Sequence, residues 1–222
     1  PFLAPPSRGL RGGNSQLTNS GCTWTRRVVH AFTGGADGSG PGARVAVDKR
    51  GNLYGMTPTG GANGLGVIYL LRPKSGGGWS FRVIHTFTGG ADGSSGSAGK
   101  MVFRGGGVLG AATAGGNHSA GAIFQLTPTQ TGEWDFKTLY SFQGAPDGVF
   151  PYGAVLFDSA GNIYGTTYYG GTNGIGAVYK LSPTASGEWN ETVLYSFQNG
   201  NDGNSSISNL VFDTAGNLYG TT

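Results

Sequence analysis

Few residues in this chain are of types that do chemistry, and most of those recur at a fixed interval. Asp37, Asp92, Asp147 and Asp202 lie 55 residues apart, and each is followed by Gly. Calcium needs several oxygen ligands converging, commonly from a D-x-D-x-D-G run. One carboxylate per turn is better suited to accepting the amides of its own turn. Of the three histidines, His30 and His85 hold the repeat position where Tyr140 and Tyr195 stand, which marks them as packing aromatics with a polar tip. His118 sits in a glycine-rich loop and has no repeat counterpart. Glu133 and Glu188 stand beside Trp134 and Trp189 in turns, as solvated charges. No Ser-His-Asp set, paired carboxylates or metal-ligand spacing is present, so no catalytic residue, metal or cofactor is expected. Cys22 is the one cysteine and cannot form an internal disulfide.

The glycine loops 60–66 and 170–176 look like phosphate-binding loops. Phosphate binding needs a helix N-terminus directly after the loop, and here a strand pattern follows. They read as tight turns.

Two groups of aromatics could hold a sugar ring. Trp24, Trp79, Trp134 and Trp189 repeat every 55 residues. Periodic placement favours a seal between repeats over a ligand platform, because large aromatics bury so much surface. Phe150, Tyr152, Tyr168 and Tyr169 are not periodic, and loop residues carry function on a rigid scaffold. With Asn173 they are the candidate ligand-binding residues, an aromatic-plus-amide surface suited to a saccharide.

The elements that must position these residues follow from the period, since repeats of this length signal stacked architectures. One unit, Phe142 to Phe197, holds four short strands: Ala154–Asp158, Asn162–Thr167, Ala177–Leu181 and Trp189–Phe197. Each has the β-branched and aromatic content and the flanking turn residues of a strand. Trp189, Glu191, Val193, Tyr195 and Phe197 alternate onto one face, with Leu194 on the other. Four antiparallel strands per unit describe a propeller blade, slightly longer than the roughly 40–50 residues of common blades. The expected fold is an all-β, four-bladed propeller in one domain over 1–222. Residues 1–32 form a half blade, 33–87, 88–142 and 143–197 full repeats, and 198–222 a second half blade. The halves either close one blade from both termini or mark a truncated array. The second unit is degenerate: Asp48, Asp158 and Asp213 open the first hairpin turn, and Phe103 takes that place in unit two.

Composition agrees with short strands and tight turns. The 222 residues include 45 glycines, 12% aromatics and only 11% charged residues. Residues 1–111 carry 12 Lys/Arg against 3 Asp/Glu, a net +9; the remainder carry 2 against 8, a net −6. The split suits self-association or an anionic partner. The basic residues are dispersed, so no nucleic-acid partner is expected. No apolar run is long enough to span a membrane. The start at Pro1, without Met or a leader, is that of a processed secreted chain or a piece of a longer one.

These motifs carry a family resemblance over residues 25–222. The pattern is Phe142…Asp147-Gly148, then Asp158-Ser159-Ala160-Gly161-Asn162-Ile163-Tyr164-Gly165-Thr166-Thr167, then Gly170-Gly171-Thr172-Asn173-Gly174-Ile175-Gly176. It resembles the GloVer tandem repeat of choice-of-anchor bacterial proteins. The resemblance implies a secreted or surface-anchored bacterial protein of propeller type, and it brings no activity or catalytic residues. On these grounds the function expected first is an extracellular module binding glycans. A structural subunit of a surface layer or filament comes second, and a propeller hydrolase or lyase is a remote third.

Overall fold

The computed structural model describes residues 12–42, 44–96 and 101–222, all strand, turn or loop. Residues 1–11 of the expected N-terminal half blade lie outside the described residues. β1 (Gly13–Ser20) and β2 (Thr23–Ala31) make a two-stranded sheet. Sheet one is β3 (Ala46–Val47), β4 (Leu53–Thr57), β5 (Val67–Pro73) and β6 (Trp79–Thr86), paired in sequence order. Sheet two comprises β7 (Ser94–Gly96), β8 (Val102–Arg104), β9 (Gly107–Ala114), β10 (Ala122–Pro128) and β11 (Trp134–Ser141). Sheet three comprises β12 (Gly148–Pro151), β13 (Leu156–Phe157), β14 (Ile163–Gly170), β15 (Ala177–Pro183) and β16 (Trp189–Ser196). β17 (Val211–Phe212) and β18 (Leu218–Tyr219) form a last two-stranded sheet. Among the described residues these two terminal pairs are separate sheets.

Each full sheet is an antiparallel meander of four strand positions. The first position is split. β12 pairs the far half of β14 and β13 its near half, as β7 and β8 do on β9. In sheet one a single bridge, Ser39 to Thr59, stands in for the outer piece. The sequence pattern predicts only the inner piece, because Gly148–Pro151 reads as turn. It is strand because Val149 lies opposite Tyr169 on the extended β14.

The fourth strand differs from the expectation in a way that organises the molecule. Tyr179 pairs Val193 while its neighbour Val178 pairs Tyr195, so Leu194 is an extra, bulged residue. The same bulge falls at Ile84 and Leu139, and at Val29 in β2. A bulge puts two residues opposite one and breaks strict alternation. Trp189, Glu191 and Val193 therefore share one face and Tyr195 takes the other, which corrects the single-face alternation. The contacts follow this switch. Phe136, before the bulge, stacks on His85 of the preceding sheet. Phe142, after it, packs on Tyr179 of the next.

Consecutive sheets thus bury both faces of each inner sheet, as a stacked repeat must. One core cluster joins sheets one and two, including Met56, Ile68, Phe87, Val108 and Phe124. A second joins sheets two and three, including Leu109, Ile123, Phe142, Tyr179 and Leu181. A third joins β1–β2 to sheet one through Phe32, Tyr69 and Leu71. The large ring on the third strand fits only because the second strand carries glycine opposite it. A Cβ on Gly55, Gly110 or Gly165 would run into the ring of Tyr69, Phe124 or Tyr179.

Candidate functional site

The periodic residues are bound up in the scaffold. Asp37 accepts the Thr33 amide (2.9 Å), the Thr33 hydroxyl and His30 Nε2 (3.1 Å). Asp92 does the same with Thr88 and His85. Asp202 takes the Gln198 amide (2.9 Å) and the Tyr195 hydroxyl (2.8 Å). Burial acts to raise the Asp37 carboxyl, but Thr33 and His30 outweigh it and hold the group below its ordinary range. Trp79, Trp134 and Trp189 pack against the core clusters. Trp24 differs: it is 65% exposed, on a face that no described sheet covers.

The four aperiodic aromatics are brought together in sheet three. Tyr168 and Tyr169 end β14, and Phe150 and Tyr152 come from β12 and the residue just after it. The rings form a chain. Phe150 meets Tyr169 at 6.1 Å between centroids, Tyr169 meets Tyr168 at 4.6 Å, and Tyr168 meets Tyr152 at 5.6 Å. All three contacts are edge-on, at 61–86° between planes, the arrangement the ring quadrupoles favour. Such contacts leave at least one face of every ring out of the pairing. Tyr169 is 45% exposed.

The backbone under this patch is unusual. Phe150 has φ 58°, the left-handed region that disfavours a bulky side chain. One repeat position holds Gly40, Phe150 and Ser205, all with positive φ. Unit three thus keeps the turn that unit one makes with glycine and mounts a phenyl ring on it. The amide of Phe150 is tied to the Ala120 carbonyl at 2.8 Å, which holds the ring's base to sheet two. Strain of this kind, about 1–3 kcal/mol, persists where surrounding structure enforces it and collects at functional sites. By position Tyr168-Tyr169 replace Pro58-Thr59 and Thr113-Ala114, and Tyr152 replaces Gly42. The patch belongs to this unit alone among the three full repeats.

Asn173 does not join the rings. Its Nδ2 donates to the Phe197 carbonyl at 2.9 Å, as Asn63 does to Phe87. It closes the glycine-rich loop in two units alike.

A second break in the period lies at the seam of sheets two and three. Tyr140, Gln143, Asp147, Thr172, Glu191 and Val193 line a cavity of ≈ 500 Å³. Glu191 holds the position of Phe81 and Phe136, and its Oε1 is buried without a hydrogen-bond partner among the described residues. Burial, then the charge of Asp147, push its carboxyl up to about 7. Burial also raises Asp147, against hydrogen bonds from the Gln143 and Gly148 amides and the Tyr140 hydroxyl. Asp147 thereby departs from Asp37 and Asp202, although all three cap the same turn. Sequence reading placed Glu191 on a packing face and missed it. The available signal was a carboxylate in an aromatic slot. Among the described residues no group of three or more His, Cys, Asp or Glu is placed to hold a metal ion. No helix among them is long and apolar enough to cross a membrane.

Residues 9–222 match the Gloeobacter/Verrucomicrobia repeat, a span that takes in all of the described residues. No curated protein matches it.

Proposed function

From a chain that belongs to the Gloeobacter/Verrucomicrobia repeat family, we propose an extracellular or cell-surface module that binds glycans. Its sheets act as the blades of a propeller, and Phe150, Tyr152, Tyr168 and Tyr169 form the binding surface. One observation carries the reading: four aperiodic aromatics converge in one unit around a positive-φ Phe150. A sugar ring lays its C–H face on an aromatic ring while its hydroxyls bond to phenol oxygens. A rigid repeat scaffold holds the rings without ordering cost on binding. Glycan-array and affinity-electrophoresis measurements test it. Neutral oligosaccharide binding is expected for the native chain and is expected to fall at least tenfold in Tyr168→Ala/Tyr169→Ala. Absence of binding, or binding indifferent to that double change, removes the proposal.

A second reading, a building unit of an extracellular layer or filament, is favoured by the two-stranded sheets. β1–β2 and β17–β18 occupy complementary strand positions, and among the described residues neither pair is hydrogen-bonded to a further strand. Unpaired edges template addition of another strand. Concentration-dependent growth in light scattering at low salt is the expected sign, and a strictly monomeric chain contradicts it.

A further inference from the structure

A cleft of ≈ 890 Å³ opens between sheets one and two, beside the first hairpin turns. It arises from a break in the repeat. Asp48, Asp158 and Asp213 accept the side-chain amides of Asn52, Asn162 and Asn217 at 2.7, 2.6 and 2.7 Å. They also accept the hydroxyls of Tyr54, Tyr164 and Tyr219 at 3.3, 2.9 and 3.0 Å. In unit two these three positions hold Phe103, Gly107 and Leu109. Phe103 turns outward, 42% exposed. A Cβ at Gly107 would strike the Leu126 carbonyl, so no larger residue fills the space.

The next seam shows what occupies the same place there. The Arg104 guanidinium lies over Phe157 at 5.0 Å and over Trp189 at 5.7 Å. One repeat earlier stands Lys49, and among the described residues it lies over no ring. Trp134, the counterpart of Trp189, lines the cleft, and its Nε1 is buried without a hydrogen-bond partner among the described residues. Leaving such a donor unmatched is costly.

The wall chemistry is nearly all donor. Lys49, Arg50 and Arg72 line the cleft, and among the described residues none is in an ion pair. Asp48, the one carboxylate there, is consumed by the Arg50 and Asn52 amides, the Asn52 side chain and Tyr54. Tyr54, Phe103 and Trp134 supply aromatic surface, with Tyr54 in edge contact with Phe103 at 5.4 Å and with Trp134 at 5.8 Å. Three cations, a free indole N–H and aromatic rings require a ligand with a ring, acceptor groups and negative charge. The volume lies within the usual range for a small-molecule site.

We propose that this cleft binds an acidic saccharide, with Arg50 and Arg72 taking the carboxylate and Trp134 and Phe103 the sugar ring. Guanidinium and carboxylate match as bidentate partners, and the indole N–H finds a hydroxyl acceptor. The site stands apart from the Tyr168–Tyr169 patch and does not depend on it.

Calorimetric titration with an oligogalacturonate, with a neutral oligoglucan and inorganic polyphosphate as comparisons, tests it. Saturable binding of the oligogalacturonate is expected, with quenching of tryptophan fluorescence, and little response to polyphosphate; the oligoglucan comparison is made in Tyr168→Ala/Tyr169→Ala, where little response is expected. Arg72→Gln should weaken it about tenfold or more. Phe103→Asp, at an exposed position, sets a like charge against the ligand and should abolish binding, while the melting temperature stays near that of the native chain. Tyr168→Ala/Tyr169→Ala should leave it unchanged. No binding, equal binding of polyphosphate, equal binding of oligoglucan in the tyrosine variant, loss of oligogalacturonate binding in that variant, or indifference to Arg72→Gln and Phe103→Asp overturns the proposal.

Discussion

His85 lies flat on Phe136, with ring centroids 4.0 Å apart and planes 16° from parallel, while its Nε2 meets Asp92 at 2.9 Å. The pair is 51 residues apart in sequence and spans the seam of sheets one and two. His30 and Phe81 repeat it one seam earlier, at 3.9 Å. At the third seam the same positions hold Tyr140 and Glu191, and a cavity replaces the stack.

This substitution predicts a pH dependence. The folded-state pKa of Glu191 is raised to about 7 from 4.5. The folded state therefore binds its proton more tightly than the unfolded state. Its contribution to stability is fully present below about pH 4.5 and is lost as pH rises through 7. Glu191→Gln should remove that fall, read as the difference in melting temperature between native and variant chains at pH 4.5 and pH 7.5. Equal pH profiles would contradict the assignment.

Glu191→Phe should restore the stack and remove the unmatched carboxylate. Chemical denaturation at pH 7 is expected to show a gain of roughly 1–2 kcal/mol. A loss of stability would mean that the cavity does not accept a ring.

The glycine opposite each third-strand ring is predicted to be intolerant. Gly165→Ala drives a methyl into Tyr179, which is fully buried, and should cost about 1–3 kcal/mol. Gly76→Ala, with open space around its Cβ and an ordinary backbone angle, should change stability by less than about 0.5 kcal/mol. Denaturant midpoints of the two variants check the contrast.

The tryptophans should separate into two classes. Trp189→Ala removes a ring packed between sheets and beneath Arg104, and should cost about 3 kcal/mol. Trp24→Ala, at 65% exposure, should cost less than about 0.5 kcal/mol. Similar losses at both positions would show that Trp24 is covered in solution.

Phe150 should show stability and binding moving independently. Phe150→Gly gives up the contact with Tyr169 but relieves a left-handed conformation costing about 1 kcal/mol. The melting temperature is expected to change little, and neutral glycan binding to fall sharply. A large drop in melting temperature would assign Phe150 to the scaffold.

Most of the strand order was legible in the sequence. Turn residues and β-branched runs act over a few positions, so every copy of the unit announces the same strands. The splitting of the first strand position was not legible, because Gly148–Pro151 has turn composition and becomes strand only against the extended end of β14. The aromatic patch was legible in part. Phe150, Tyr152, Tyr168 and Tyr169 stood out as departures from the period, and the fold brings them into contact. Asn173 stood near them in sequence, but its amide is used on the Phe197 carbonyl.

The period, the all-β class, the turn-capping residues and the family can be read from residue order alone. Each depends on residue type at short spacing or on recurrence. Which residues meet across the seams follows from the folded chain and not from residue order. Partners there come from neighbouring repeats, and one bulged residue in each fourth strand turns the following side chains to the opposite face. That single-residue offset sets His85 on Phe136 and leaves Tyr140 and Glu191 lining a cavity. Strand alternation alone could not predict it, because the extra residue leaves the apolar pattern intact and changes only the direction in which it points.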